Sequence, residues 1–169
     1  MKKHFLILAT AMMFTCMLFA QTPAISTKYT DAEIAELIRR YKNSRSRDVR
    51  VDGALLQKFQ RDFPNARSVE WETNGEIYEV EFDIRSREFE AYYDKDGNLL
   101  MYKQEIHARE LPAVVKNAAE ARLPGYRFDD IEKVRKGTQT TFVIEMERGD
   151  IEYKLVVSND GQILSQRRD

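Results

Sequence analysis

Residues 55–71 read L-L-Q-K-F-Q-R-D-F-P-N-A-R-S-V-E-W, a helical pattern that stops at a proline and then changes period. Leu55, Leu56, Phe59 and Phe63 share one helix face. Pro64 ends that helix, because it donates no backbone bond and restricts the residue before it. Downstream the apolar spacing becomes two. Tyr78, Val80, Phe82 and Ile84 alternate with Glu79, Glu81 and Asp83, and Phe89, Ala91 and Tyr93 alternate with Glu88, Glu90 and Tyr92. Such alternation gives an antiparallel sheet with one apolar face for helices to cover and one face turned to water. Asp96-Gly97 then supplies the positive backbone angle of a tight hairpin.

The same order returns further along. Leu111, Val114, Val115, Ala118 and Leu123 form a second helical stripe, with Pro112 near its start and Pro124 after its end. L-P-G-Y-R-F-D-D-I (Leu123 to Ile131) stands where the first copy has F-P-N-A-R-S-V-E-W (Phe63 to Trp71). Phe142, Ile144 and Met146 parallel Tyr78, Val80 and Phe82, while Ile151, Tyr153, Leu155 and Val157 complete the alternation before Asp160-Gly161. The helix-end prolines are offset by 60 residues and the strands and hairpins by 64, which places a short insertion in the second copy. The expected fold is α+β: tandem helix-plus-antiparallel-strand repeats, about 51–106 and 107–169, with helices on one face of a curved sheet.

Residues 21–50 stand apart. Thr30-Asp31-Ala32-Glu33 is a capping box, and Ile34, Leu37, Ile38 and Tyr41 form the stripe of a helix of about three turns. The polar, basic run Y-K-N-S-R-S-R-D-V-R follows and reads as a flexible link. So short a helix is marginal alone and needs something to dock on.

Residues 1–20 read as a secretory signal. Lys2 and Lys3 precede an apolar run from Phe5 to Phe19, and Ala20 offers the small side chain for cleavage. The run is shorter than the roughly 18–20 residues of a membrane span, and Cys16 lies inside it, where a lipoprotein cysteine does not belong. A periplasmic or secreted protein without a stable membrane span is the expectation. Cleavage near Ala20 removes Lys2 and Lys3 and leaves 25 basic against 28 acidic residues, a balance that does not point to nucleic acid. It also leaves no cysteine, which a core of this size tolerates.

Catalytic chemistry has little to assemble from. The one histidine after the signal, His107, falls in the connector between repeats, and histidine–cysteine zinc ligation has no ligand set. A Gly-rich phosphate loop and a G-x-S-x-G elbow are both lacking. Asp94-Lys95-Asp96-Gly97-Asn98 resembles a calcium loop, with Glu105 at the twelfth position, but Leu99 stands where that loop needs glycine, so a hairpin turn is the better reading. No cofactor and no enzymatic activity are expected.

The surface that stands out is the polar sheet face, where Glu70, Glu72, Glu79, Glu81, Asp83, Glu88 and Glu90 lie beside Tyr92. Like charges across a sheet repel and invite a basic partner. That partner is either internal, Arg39, Arg40, Lys42, Arg45, Arg47 and Arg50 of the amino-terminal arm, or an outside basic protein or peptide. A solvated face that serves solubility alone is the plain alternative.

The order helix, F-P-N-A, V-E-W, I-Y-E-V-E-F and D-K-D-G-N-L-L resembles the PepSY-like, β-lactamase-inhibitor-like domain of exported bacterial proteins, over about Val51 to Arg168. The second copy departs from it, with Glu132 or Val134 in the region of the tryptophan. The resemblance implies helices on one side of a curved antiparallel sheet, export to the periplasm or beyond, and an open, concave face that grips a protein partner. An exported, non-enzymatic, protein-binding or inhibitory module is therefore the leading expectation. A structural or chaperone-like envelope component is the alternative, ahead of small-ligand binding and of a carboxylate enzyme. Trp71, Phe82, Phe89 and Tyr93, at helix-facing positions, belong to the core.

Overall fold

The structure is a computed structural model that describes residues 22–51 and 53–169. The signal expected at 1–20 lies outside the described residues. Within them the chain forms α1 (Asp31–Lys42), β1 (Arg47–Asp48), α2 (Gly53–Asp62), β2 (Arg67–Thr73), β3 (Ile77–Ile84), β4 (Arg87–Asp94) and β5 (Leu99–Glu105). A single 3₁₀ turn then leads to α3 (Ala113–Arg122), β6 (Arg127–Lys136), β7 (Gln139–Arg148), β8 (Ile151–Ser158) and β9 (Ile163–Arg168). All nine described strands make one antiparallel sheet in sequence order. Each repeat is thus a helix followed by a four-stranded meander, and β5 pairs with β6 to join the two.

The two helices α2 and α3 cover the same side of the sheet. Under α2 the core is aromatic: Phe59, Phe63, Trp71, Val80, Phe82, Ala91, Tyr93 and Tyr102. Phe59 meets Trp71 edge-on at 5.2 Å and Phe82 at 5.0 Å between ring centroids, the offset geometry that ring quadrupoles favour. Under α3 the core is mostly aliphatic, built on Val115, Ala119, Ile131, Phe142, Ile144, Met146, Leu155 and Val157. Ile131 occupies the core place of Trp71, at the same offset of 60 as the prolines; Glu132 faces the other side of the sheet and is not the replacement. The hairpin glycines Gly97 and Gly161 have φ of 79° and 88°, the left-handed conformation expected of both turns.

The four-residue change of offset lies in the β6–β7 hairpin. Trp71 pairs with Val80, but Ile131 pairs with Ile144, so the second hairpin is the longer. Both β2 and β6 carry a bulge just before this point, and Ser68 at the first bulge has φ of 52°.

The arm departs from one expectation and meets another, since Lys42 of the arm does reach the carboxylates of the polar face. The link after α1 is not wholly irregular: Arg47–Asp48 pairs with Glu72 and Thr73 as an edge strand, and Val49 and Val51 pack against the α2 core. More important, α1 packs on the opposite side of the sheet from α2 and α3. Ile34 and Tyr41 are buried against Ile77, Tyr92, Leu100 and Met101, with Leu37, Ile38 and Val134 around them. The capping box is formed as read: Thr30 accepts from the Glu33 amide, and the Glu33 carboxylate accepts from the Thr30 amide at 2.8 Å.

Candidate functional site

All eight residues assigned to the polar face do share it. The antiparallel register aligns Glu70, Glu81, Glu90 and Lys103 across β2 to β5, and in the next row Glu72, Glu79, Tyr92 and Met101. Asp83 stands opposite Glu88. The face does not lie wholly open, however. α1 crosses one end of β3 to β6, so Glu79 is only 7 % exposed and Tyr92 is fully buried. The two are therefore part of the seat of α1 and not of a free surface. Glu70, Glu72, Glu81 and Glu88 remain exposed, with Asp83 and Glu90 half-buried.

At the boundary sits a compact charge cluster. Lys42, at the end of α1, places its Nζ 2.6 Å from Glu79 Oε1 and 3.3 Å from Glu90 Oε1. Lys103 pairs with Glu90 at 2.7 Å, and the Tyr92 hydroxyl donates to Glu79 Oε1 at 2.6 Å. Burial pushes the Glu79 carboxyl up, but Lys42 and the neighbouring hydrogen-bonding groups together hold it below the usual glutamate range. For Glu90 burial prevails over Lys103 and Lys42, and its carboxyl is raised. Glu79, Glu81 and Glu90 lie close enough together to hold a cation, as do Glu145, Glu152 and Asp169. Each cluster already contains lysine: Lys42 and Lys103 in the first, Lys154 against Glu145 in the second.

Beyond α1 the face opens into a groove of about 500 Å³ lined by Ser68, Glu70, Glu81, Phe82, Asp83, Glu88, Phe89, Glu90, Lys103, Glu105, Asp130 and Glu132. Among the described residues, Glu70, Glu81, Asp83, Glu88, Glu105 and Asp130 form no ion pair; the salt bridges of this groove run only to Glu90 and Glu132. Burial, with Glu145 and Glu105 adding to it, holds the Asp130 carboxyl above the ordinary aspartate value despite the Ile131 amide. Sequence reasoning missed Glu105, Asp130 and Glu132. Asp130 was legible through the repeat, since it stands 60 residues after Glu70. The second repeat balances its own charges: Glu145 lies opposite Lys154, which is followed across the sheet by Arg167. The corresponding cross-strand pair in the first repeat is Glu81 opposite Glu90. His107 is exposed in the connector, as expected.

The family described as "Putative beta-lactamase-inhibitor-like, PepSY-like" matches the chain twice, over residues 40–101 and 100–165. The chain belongs to this family. The repeated pattern fits the two matches, and the first of them begins within α1, at residue 40. No curated protein matches the chain. Among solved structures, a BLIP-like protein from Bacteroides fragilis is similar with a TM-score of 0.61 and 25% identity, covering 71% of this chain and 87% of that one. A DUF2874 family protein from Bacteroides ovatus gives a TM-score of 0.62 at 20% identity, covering 71% and 89%. A protein from Bacteroides eggerthii described as "putative periplasmic" gives 0.64 at 17% identity, covering 71% and 90%. The fold is thus BLIP-like, a fold family that suggests a binding or inhibitor-like module. No helix among the described residues is long and apolar enough to cross a membrane.

Proposed function

We propose that this PepSY-like protein is exported by the signal at 1–20 and acts in the cell envelope as a non-enzymatic module that grips a basic partner protein on its acidic sheet face. The observation that carries the reading is the unneutralised row of carboxylates in the groove. Glu70, Glu81, Asp83 and Glu88 stand on rigid strands without a cation of their own, joined by Glu105 and Asp130. Such an arrangement costs stability in the free protein and returns it when lysine or arginine side chains arrive. A groove walled mostly by acidic side chains also speeds the encounter with an oppositely charged partner. The family is named for an inhibitor and not for a reaction, and the neighbour from Bacteroides eggerthii supports an envelope location.

The test is comparative capture. The mature protein (21–169) and a Glu81→Lys/Asp83→Lys/Glu88→Lys variant are each mixed with envelope extract of the cell that makes the protein. A basic protein retained by the first and released by the variant supports the proposal. Equal retention by both would remove the groove from it, and no retention by either would remove the binding role.

A further inference from the structure

The second repeat holds Glu145 with Lys154 from its own sheet. The first repeat has Glu90 at the place of Lys154 and takes part of its compensation from Lys42, at the end of α1. The seat of α1 is apolar at its centre, with Ile77, Tyr92, Leu100 and Met101, and carboxylic at one end, with Glu79 and Glu90. At the other end the lengthened β6–β7 hairpin receives the helix start: the Thr138 amide and hydroxyl both donate to Asp31, at 3.0 and 2.9 Å. Gly137 makes this approach possible, because a Cβ there would overlap the Asp31 carboxylate. The seat runs directly into the acidic groove, since Glu90 and Lys103 line the groove and Glu90 also pairs with Lys42.

Two features mark α1 as an imperfect occupant. The Tyr41 hydroxyl is buried at this contact without a hydrogen-bond partner, and an orphaned buried polar atom weakens the contact that hides it. A twelve-residue helix is also near the limit of independent stability, so α1 is held by tethering and by this one face.

We infer that α1 is a displaceable internal ligand, and that its seat is a docking site for an amphipathic helix of the same chemistry in a partner. That helix would carry an apolar stripe in the pattern of Ile34, Leu37, Ile38 and Tyr41, an acidic residue at its start and a lysine directly after the stripe. The inference rests on the reading of this face as the binding surface and names the element of the partner that reaches it. With α1 in place the seat is closed, so the arm sets the threshold for binding.

The experiment uses the mature chain and a fluorescent synthetic peptide of residues 28–44. An Ile34→Asp/Lys42→Glu variant unseats the arm, while Trp71 emission and thermal unfolding report on the core under α2. The unseated variant is expected to bind the peptide at least tenfold more tightly than the wild type. A peptide with glutamate in place of the lysine is expected to lose that gain. If the variant does not fold, the wild type decides: saturating peptide should raise the rate of tryptic cleavage at Arg39 and Arg40 severalfold by displacing the arm. Equal peptide affinity in a folded variant, or unchanged arm cleavage in the wild type, overturns the inference. The assay needs no natural partner, so it can fail while capture by the groove succeeds, and the reverse.

Discussion

The Glu79 carboxylate is nine-tenths hidden and stays charged because the Lys42 ammonium stands 2.6 Å away. Half of the Lys42 side chain is in water, which screens the pair. Lys42→Met should therefore cost about 1–2 kcal/mol, short of the 3–5 kcal/mol typical of breaking a fully buried pair. Adding Glu79→Gln should return most of that loss, since it removes the stranded charge; urea unfolding of the two variants measures both. Asp94 gives a pH signature. Burial pushes its carboxyl up, but the Asn98 side chain and amide, the Tyr29 hydroxyl and Lys28 outweigh this and hold it below the ordinary aspartate value. A carboxyl depressed in the folded state contributes stability above its unfolded value, and that contribution goes as pH falls through the folded one. Below about pH 4, then, the arm should loosen where Lys28 and Tyr29 bind Asp94, and hydrogen exchange at Ser26, whose amide bonds to Leu99, should quicken beyond the intrinsic pH effect. Asp94→Asn should flatten that acid response; a response of the same size in the variant would remove Asp94 as its source.

At the scale of elements, the three helices and the strands β3, β4, β7 and β8 follow from their own periodicity, and the placement of α1 does not. The stripe Ile34, Leu37, Ile38 and Tyr41 and the capping box at Thr30 announce a helix with one sticky side, and nothing local says which surface it meets. The alternation in β3 and β4 likewise puts Glu79 and Tyr92 on the polar face without saying that α1 covers them. β1 is hidden for another reason: its pairing comes from the edge of β2 and not from the polar run that forms it. Because the apolar hold on α1 centres on Ile34, which is fully buried, Ile34→Ala should cost it about 2–4 kcal/mol. Trypsin should then cut at Arg39 and Arg40 far faster, while Trp71 fluorescence stays unchanged. Phe59→Ala should act on the other side, costing about 3–5 kcal/mol of global stability and shifting Trp71 emission, since Phe59 packs on Trp71. Calorimetric melting of the two variants separates a local from a global loss.

For the whole molecule, one sheet presents different chemistry on its two sides. The side under α2 and α3 is two cores in series, and the repeat made this legible because its core positions recur at steady offsets. The other side is asymmetric. Its second half is balanced by Lys154 and Arg167, and its first half carries the open carboxylates with α1 across one end. Half of that acidic groove was readable from β2 to β4. Asp130 has its counterpart in Glu70 through the repeat, but only the pairing of β5 with β6 brings it and Glu132 alongside the first repeat. We propose this side as the working surface of the protein. Hydrogen exchange of the mature chain, with and without its captured partner, tests it most directly. Protection should fall on 68–72, 81–90, 103–105 and 130–134, and the surfaces of α2 and α3 should not change. Protection confined to α2 and α3, with the carboxylate strands unaffected, would contradict it.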